Sequence, residues 1–307
     1  MKNKSKTCIF IFFTILIVFA CSATSLGSGI IIGRNDKEEE TSSPATITEK
    51  IVYYEQTTSQ RYFDENSDLD TFNKLLTDAQ SHFTFQFNVS DENIFDEDKD
   101  FLLANLENQY SRLSVKFNKN ITEKITIKFV DDLDVFSEDL GTTFSEISGY
   151  SAFSLGGDFI EIYVNPLYTS DKFQIAHTVS HELVHIFQYQ VNDSITMYDA
   201  RWASVNWFIE GMAEGFSYPN EDSLIHSEVY KTIPDIESLN SLISSRIPQD
   251  YMIGYDAVEL LFVYLSETYG EEKMIQLVKT RANFDDNFNN AIGKSIDEVY
   301  NDWLEQL

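Results

Sequence analysis

The sequence predicts an α+β fold, with a small mixed sheet in its N-terminal part and an all-helical C-terminal half. Apolar residues alternate with period two in three segments between residues 82 and 164, which is typical of half-buried strands. From Arg201 onward the apolar residues recur at helical spacing. Between these regions lies an apolar helix that carries the motif His181-Glu182-Leu183-Val184-His185. The expected order is therefore strands with helices, then the motif helix, then helices alone.

The N-terminus has the layout of a secretory signal. Three lysines within the first six residues precede the apolar run Cys8–Ala20, which is short for a membrane-spanning helix. The following Val18-Phe19-Ala20-Cys21 resembles a bacterial lipobox, and this resemblance implies a signal peptide over residues 1–20 and a lipidated Cys21. An uncleaved anchor extended through Ile30–Ile32 is the alternative. Both place the remaining chain outside the cytoplasm, and the lipobox implies a membrane-anchored lipoprotein.

Composition limits the possible partners. The 307 residues include 22 Lys+Arg and 50 Asp+Glu, so the formal net charge is −28. Nucleic acids and anionic membrane surfaces attract basic patches, so neither is an expected partner of this acidic chain. Only Cys8 and Cys21 are present, which leaves the soluble part without a disulfide or a cysteine ligand. Residues 21–66 are polar and aperiodic and are predicted to form a tether, followed by one domain over residues 67–307.

The first part of the domain alternates between helical and strand patterns. Apolar periodicity predicts, in order, a short helix from Leu69, a strand over His82–Val89, a helix over Phe101–Leu113, a strand over Ile125–Phe129, a short helix over Asp131–Leu140 and a strand over Asp158–Val164. We expect the last of these strands to lie at an edge of the sheet, where it could bind the backbone of an extended peptide.

The motif helix and the helical half follow. An apolar stripe predicts the motif helix over Phe173–Tyr189, with Ser170 as its N-cap. The later helices are predicted over Trp202–Phe216, Glu221–Lys231, Tyr251–Tyr269, Glu271–Arg281 and Ser295–Leu307.

The motif helix carries a pattern typical of a zinc site. Residues four apart on a helix share one face, so the imidazoles of His181 and His185 can reach one ion. Neutral imidazole is a good Zn²⁺ ligand, and the adjacent Glu182 could serve as a general base. A catalytic zinc usually has a third protein ligand. The metzincin class is excluded, because Gln188 and Val191 occupy the positions where it places glycine and histidine.

The third ligand is indicated by a resemblance. The stretch Trp207-Phe208-Ile209-Glu210-Gly211-Met212-Ala213-Glu214 is similar to the second motif of gluzincin metallopeptidases. This resemblance implies that Glu210 is the third metal ligand and that Glu214 hydrogen-bonds a ligating imidazole. Aminopeptidases of the aminopeptidase-N type have Asn where Ile209 stands, and their gap between the motifs is shorter. The departures point to the broader peptidase-MA-like group.

Two further positions complete the predicted site. Tyr251-Met252-Ile253-Gly254 resembles the start of an aminopeptidase helix whose tyrosine stabilises the oxyanion, which implies that role for Tyr251. Tyr255, one turn later, and His226 are the alternatives. His177 would close the open position of the metal, so we expect it to be structural.

These observations predict a cell-surface metallopeptidase with one Zn²⁺ ion and a peptide or protein substrate. The amine-binding stretch Gly-x-Met-Glu-Asn of the aminopeptidase-N type is missing around Gly156–Glu161, which favours an endopeptidase. A lipid-anchored binding or adhesion protein that keeps the fold without catalysis is one alternative. A zinc hydrolase of non-peptide amides or esters is another.

Overall fold

The domain has an α+β architecture in which a mixed sheet is followed by a helical half. A computed structural model describes residues 9–11, 82–88, 99–131, 149–154, 160–165, 172–192, 204–217, 227–245, 248–280 and 283–307. The strands are β1 (Ile9–Ile11), β2 (Phe83–Asn88), β3 (Ile125–Val130), β4 (Gly149–Ser154) and β5 (Ile160–Val164). Their order across the sheet is β1-β4-β5-β3-β2. Strands β2, β3 and β5 are parallel, whereas β4 is antiparallel to both β5 and β1.

Nine helices lie within the described ranges. They are α1 (Lys99–Phe117), α2 (Lys172–Val191), α3 (Asn206–Phe216), α4 (Ser227–Tyr230), α5 (Ile236–Ile243), α6 (Pro248–Tyr269), α7 (Glu271–Lys279), α8 (Phe284–Ile292) and α9 (Ile296–Gln306). No helix in the described part of the chain combines the length and apolar character needed to cross a membrane.

The alternating strand patterns bury one face of the sheet. In β3, Ile125, Ile127 and Phe129 are fully buried while Thr126 and Lys128 are partly exposed. Because β2 and β3 are parallel, the chain must cross over between them, and α1 lies in that connection. Helix α1 packs against α2, which in turn contacts β4 and β5. The motif helix is thus held between the sheet and α1.

The position of β5 corrects one expectation. The register pairs Ile162 with Ile127 of β3 on one side and with Ser151 of β4 on the other, so β5 is an interior strand. It cannot add a peptide at an edge, because both rows of its backbone groups are already paired. The sequence did not predict β4, and this strand occupies the side of β5 that was expected to be free.

Helix α6 is the centre of the helical half. It packs against α3, α5 and α7, and its interior-facing residues Val258, Leu261 and Leu265 are fully buried. The N-cap residue of α3, Val205, makes no side-chain capping hydrogen bond, but the backbone N–H of Trp207 donates to Asn240 Oδ1 of α5 at 3.0 Å. This bond satisfies one of the free amides at the helix start and fixes α3 against its neighbour.

Local signals explain several helix boundaries. Asn118, with φ 51°, adopts the left-handed conformation that ends α1, and asparagine tolerates this conformation better than most residues. Asp235 caps α5 by accepting from Ser238 N at 2.7 Å, and Ser295 and Glu298 form a capping box at the start of α9.

Most predicted elements in the described ranges are present with shifted ends. The helix expected from Trp202 begins at Asn206, because Ser204 and Val205 form a turn, and the helix expected to end at Arg281 ends at Lys279, because Thr280 is extended. Strands β1 and β4 and helices α5 and α8 were not predicted. The expected helices from Leu69 and over Asp131–Leu140, and the Ser170 cap, lie outside the described residues apart from Asp131.

Candidate metal centre

The two motif histidines converge on one point. His181 and His185 lie one turn apart on α2, and both side chains are almost completely buried. Their rings are nearly perpendicular, with centroids 4.7 Å apart, and the two Nε2 atoms are separated by 3.0 Å. The spacing of the sequence motif thus brings both ring nitrogens to the same side of the helix.

Helix α3 brings a carboxylate to the same point. Glu210 Oε2 lies 3.3 Å from His181 Nε2 and 3.4 Å from His185 Nε2. Within the described ranges, this is the one group of three or more histidine, cysteine or acidic side chains whose possible ligand atoms are close enough to share an ion, all within 4.8 Å of one another. His181, His185 and Glu210 could therefore hold a metal ion.

A carboxylate behind His181 fixes the orientation of its ring. Glu214, one turn after Glu210 on α3, places Oε1 2.9 Å from His181 Nδ1. Its other oxygen, Oε2, lies 3.2 Å from Nε2 of His177. The proximity of this ionised carboxylate favours a proton on Nδ1 of His181, which in the neutral ring leaves the lone pair on Nε2, the atom that faces the candidate site. His177 contacts Glu214 and does not belong to the metal group.

An amide stands behind the second imidazole. Gln188 Oε1 lies 2.8 Å from His185 Nδ1, and its Nε2 donates to the backbone carbonyl of Ile209 at 2.9 Å. Gln188 occupies one of the positions that exclude the metzincin class, and no contact was predicted for it. Its position three residues after His185 was the available signal, because residues at this spacing are neighbours on a helix surface.

The site keeps its carboxylates ionised in spite of burial. Burial acts to raise the pKa of Glu210, but the neighbouring His185 and His181 outweigh it and lower this pKa to about 2. Burial likewise acts to raise the pKa of Glu214, which His181 and His177 lower. For His181, burial acts to lower the pKa, and the two carboxylates outweigh it and hold the pKa well above 6.5. The centre is thus electrostatically arranged to bind a positive charge, either a proton or a metal ion.

Glu182 is an unusual buried carboxylate. It is completely buried, and neither of its carboxylate oxygens has a hydrogen-bond partner among the described residues. Burying an unpaired carboxylate is costly, so its presence at such a position requires an explanation, and a catalytic role is one. Its place in the motif, between the two histidines that converge on the site, makes it the candidate acid–base group.

Two tyrosines of α6 border the centre. The hydroxyl of Tyr255 donates to Glu210 Oε2 at 3.0 Å. The ring of Tyr251 lies beside that of Tyr255, with centroids 4.3 Å apart. The hydroxyl of Tyr251 is buried and has no hydrogen-bond partner of good geometry among the described residues. Burial raises the pKa of both phenols well above 10.0, so both keep their protons near neutral pH. Tyr255 was predicted as an alternative oxyanion donor, and its contact with Glu210 was not predicted.

The family assignment follows from a match that covers most of the chain. The family model BSP, described as "Peptidase of plants and bacteria", matches residues 65–303. The chain belongs to this family. No curated protein and no solved structure matches it. The matched region includes every residue of the metal centre, and the domain is therefore a BSP-family peptidase-like domain.

Two residues with predicted roles, Cys21 and His226, lie outside the described residues. Cys21, the predicted site of lipidation, precedes the matched region and lies outside the described residues. His226, the third candidate for the oxyanion donor, falls within the match but also lies outside the described residues.

Proposed function

We propose that this BSP-family protein is a zinc-dependent peptidase of the gluzincin type that acts at the cell surface. The observation that carries the proposal is the convergence of His181 Nε2, His185 Nε2 and Glu210 Oε2, with separations of 3.0, 3.3 and 3.4 Å. Two imidazoles and one carboxylate are a common ligand set of catalytic zinc in hydrolases.

The spacing of these three atoms fits a zinc ion. For metal–ligand bonds of about 2.0–2.1 Å, the edge of a regular tetrahedron is about 3.3–3.4 Å long. The two histidine–glutamate separations, 3.3 and 3.4 Å, match this edge, and the imidazole pair is slightly closer at 3.0 Å. His181, His185 and Glu210 would hold the ion, and a catalytic zinc with three protein ligands would also activate a water molecule. The donor set also disfavours Ca²⁺ and Mg²⁺, which prefer all-oxygen ligands.

The proposed mechanism gives Glu182 a defined role. A bound zinc ion supplies Lewis acidity, which makes water acidic enough to act as a nucleophile near neutral pH. Glu182 accepts the proton of the attacking water on its carboxylate and passes it to the nitrogen of the leaving amine. The absence of any protein hydrogen-bond partner on Glu182 supports this role, because neither oxygen is committed to another group of the described chain.

Tyr251 is the proposed oxyanion donor. Its hydroxyl keeps its proton at neutral pH and has no hydrogen-bond partner of good geometry among the described residues. It can therefore donate to the substrate carbonyl oxygen that becomes negative during hydrolysis. Tyr255 is less suited to this task, because its hydroxyl already donates to Glu210.

The test of the mechanism is Glu182→Gln. The change keeps the shape of the side chain but removes the base, so we expect cleavage of a fluorogenic peptide library to fall by about 10²–10⁴-fold while one zinc per chain is retained. Glu107→Gln is the matched control: Glu107 is also buried but binds His82 Nδ1 at 2.7 Å, away from the metal centre. It should alter stability and leave cleavage intact. Undiminished cleavage by Glu182→Gln would refute the mechanism.

The same library separates the competing functions. Wild-type protein should cleave internal bonds of peptides with blocked N-termini, as an endopeptidase does, and a chelator should abolish the cleavage. Untouched peptides together with bound zinc would instead favour a binding protein or a hydrolase of other amides and esters. The proposed membrane anchor is tested by Cys21→Ala, which should prevent incorporation of labelled fatty acid and release the protein from the membrane fraction.

A further inference from the structure

We infer that Gln188 is a positioning residue that sets the tautomer of His185 and ties it to the helix that carries Glu210. The inference rests on the proposed zinc site, because the tautomer matters only if His185 is a ligand. Gln188 is completely buried and spans the two ligand-bearing helices, α2 and α3.

The direction of the amide follows from its second contact. The backbone carbonyl of Ile209 can only accept a hydrogen bond, and Gln188 meets it at 2.9 Å. The NH₂ group must therefore face Ile209, since the reverse orientation would place two oxygens against each other. This leaves Oε1 of Gln188 facing His185 Nδ1, at 2.8 Å. The amide orientation is thus fixed by the chemistry of the carbonyl.

The orientation of Gln188 determines the state of His185. An amide oxygen accepts a hydrogen bond, so Nδ1 of His185 must carry a proton. In the neutral ring the lone pair then lies on Nε2, the atom 3.4 Å from Glu210 Oε2. A histidine ligand in the opposite tautomer would direct N–H at the metal and could not bind it. Gln188 therefore holds His185 in the form that binds.

The same amide also links two ligands mechanically. Ile209 directly precedes Glu210, so the bond from Gln188 to its carbonyl fixes the backbone next to the third ligand. His181 has a different kind of support, because the charged Glu214 faces its Nδ1 at 2.9 Å. The centre thus pairs one imidazole with a carboxylate and the other with a neutral amide that reaches across to α3.

The experiment compares three variants of the full chain for zinc affinity, measured by competition with a chromogenic chelator. Gln188→Leu removes both hydrogen bonds at similar volume, and we expect zinc to bind about 10–100-fold more weakly. Gln188→Glu keeps an acceptor for Nδ1–H but loses the donor to Ile209, so its affinity should lie between wild type and Gln188→Leu. Cobalt substitution provides a second readout, because the visible spectrum of bound Co²⁺ reports the geometry that Gln188 maintains.

Gln109→Leu is the matched control. Gln109 is also completely buried, and its amide donates to the carbonyl of Phe216, at the far end of α3, at 2.6 Å. Both leucine variants lose a buried hydrogen bond to α3, so both should lower the Tm of the metal-free protein, by about 2–8 °C. Only Gln188→Leu should change zinc affinity and the cobalt spectrum.

The outcomes distinguish this inference from the proposed function. Wild-type zinc affinity in Gln188→Leu would overturn the inference and leave the zinc site intact. Equal losses of affinity in Gln188→Leu and Gln109→Leu would reduce Gln188 to a packing role, and a Gln188→Glu variant as weak as Gln188→Leu would contradict its role as acceptor. Wild-type protein that binds no zinc would refute the proposed function itself.

Discussion

Replacing Gly211 with alanine would test how closely α3 must approach α6 for Glu210 to reach the imidazoles. A Cβ on Gly211 would lie 2.6 Å from the backbone oxygen of Val258 and 3.3 Å from Cβ of Phe262. Carbon and oxygen atoms normally approach to about 3.3 Å, so the two helices would have to separate by about 0.7 Å. The obstacle is backbone, which cannot rotate away as a side chain can.

The displacement should affect metal binding more than folding. Overpacking a core lowers the free energy of unfolding by about 1–3 kcal/mol, and the higher helix propensity of alanine raises it by about 1 kcal/mol. The net loss of stability is therefore about 0–2 kcal/mol. Metal–ligand distances, in contrast, tolerate changes of only about 0.2 Å. Glu210 precedes Gly211 and moves with it, so a shift of about 0.7 Å should weaken zinc binding by about 10–100-fold.

Two measurements on the Gly211→Ala variant separate these effects: chelator competition for zinc affinity and thermal unfolding of the metal-free protein. Gly254→Ala is the control, because its Cβ would meet the backbone nitrogen of Ile243 in α5 at 2.8 Å, a similar clash against a different helix. It should lower Tm and weaken zinc binding less than Gly211→Ala does, because it can affect the centre only through the neighbouring Tyr255. Unchanged zinc affinity in Gly211→Ala, or an equal loss in Gly254→Ala, would refute the argument.

Three further predictions concern the same centre and its surroundings. Tyr255→Phe removes the hydrogen bond to Glu210 Oε2 and should weaken zinc binding about tenfold in the competition assay, and unchanged affinity would contradict this role. Because the pKa of His181 is raised above 6.5 in the metal-free fold, its protonation stabilises that fold fully below about pH 6.5, and this contribution is lost as the pH rises through the raised pKa. Zinc must displace the same proton, so the increase in Tm on adding zinc should be larger at pH 8 than at pH 6, and equal increases would argue against the assignment. Asn192→Ala removes two hydrogen bonds that connect the end of α2 to the carbonyls of Val278 and Thr280. The Tm should fall by an amount equivalent to about 1–3 kcal/mol, and zinc affinity should not change. A loss of zinc binding would show that this end of α2 also positions the ligands.

The sequence predicted those parts of the centre that depend on spacing within one helix. Residues four apart share a helix face, so the imidazole pair on α2 and the succession of Glu210 and Glu214 on α3 could be deduced before any packing was known. The metal group of His181, His185 and Glu210 required the resemblance as well, because only that placed the two helices side by side.

Contacts between helices could not be deduced in the same way. Tyr255 lies 45 residues from Glu210, and Gln188 lies 21 residues from Ile209, so both bonds depend on how α2, α3 and α6 pack. Apolar periodicity indicates which face of a helix is buried but not which polar atom meets which neighbour.

Short elements were missed for a related reason. Helix α5 has eight residues and α8 has nine, which is too short for a stable isolated helix, so tertiary packing decides whether they form. Their caps were nevertheless present in the sequence, with Asp235 before α5 and with Asn283 and Gly293 around α8. The cap residues therefore mark both helices in the sequence, whereas the apolar spacing does not.

The residues that contact the three candidate ligands affect how the proposed zinc ion would bind. Glu214 holds His181, Gln188 holds His185 and Tyr255 holds Glu210, all through contacts that belong to the protein itself. Little conformational entropy then remains to be lost when the ion enters, in contrast to zinc fingers, whose folding is coupled to metal binding. If the centre holds zinc as proposed, the domain should fold without the ion and bind it afterwards, so the supply of zinc would set how much of the protein is active.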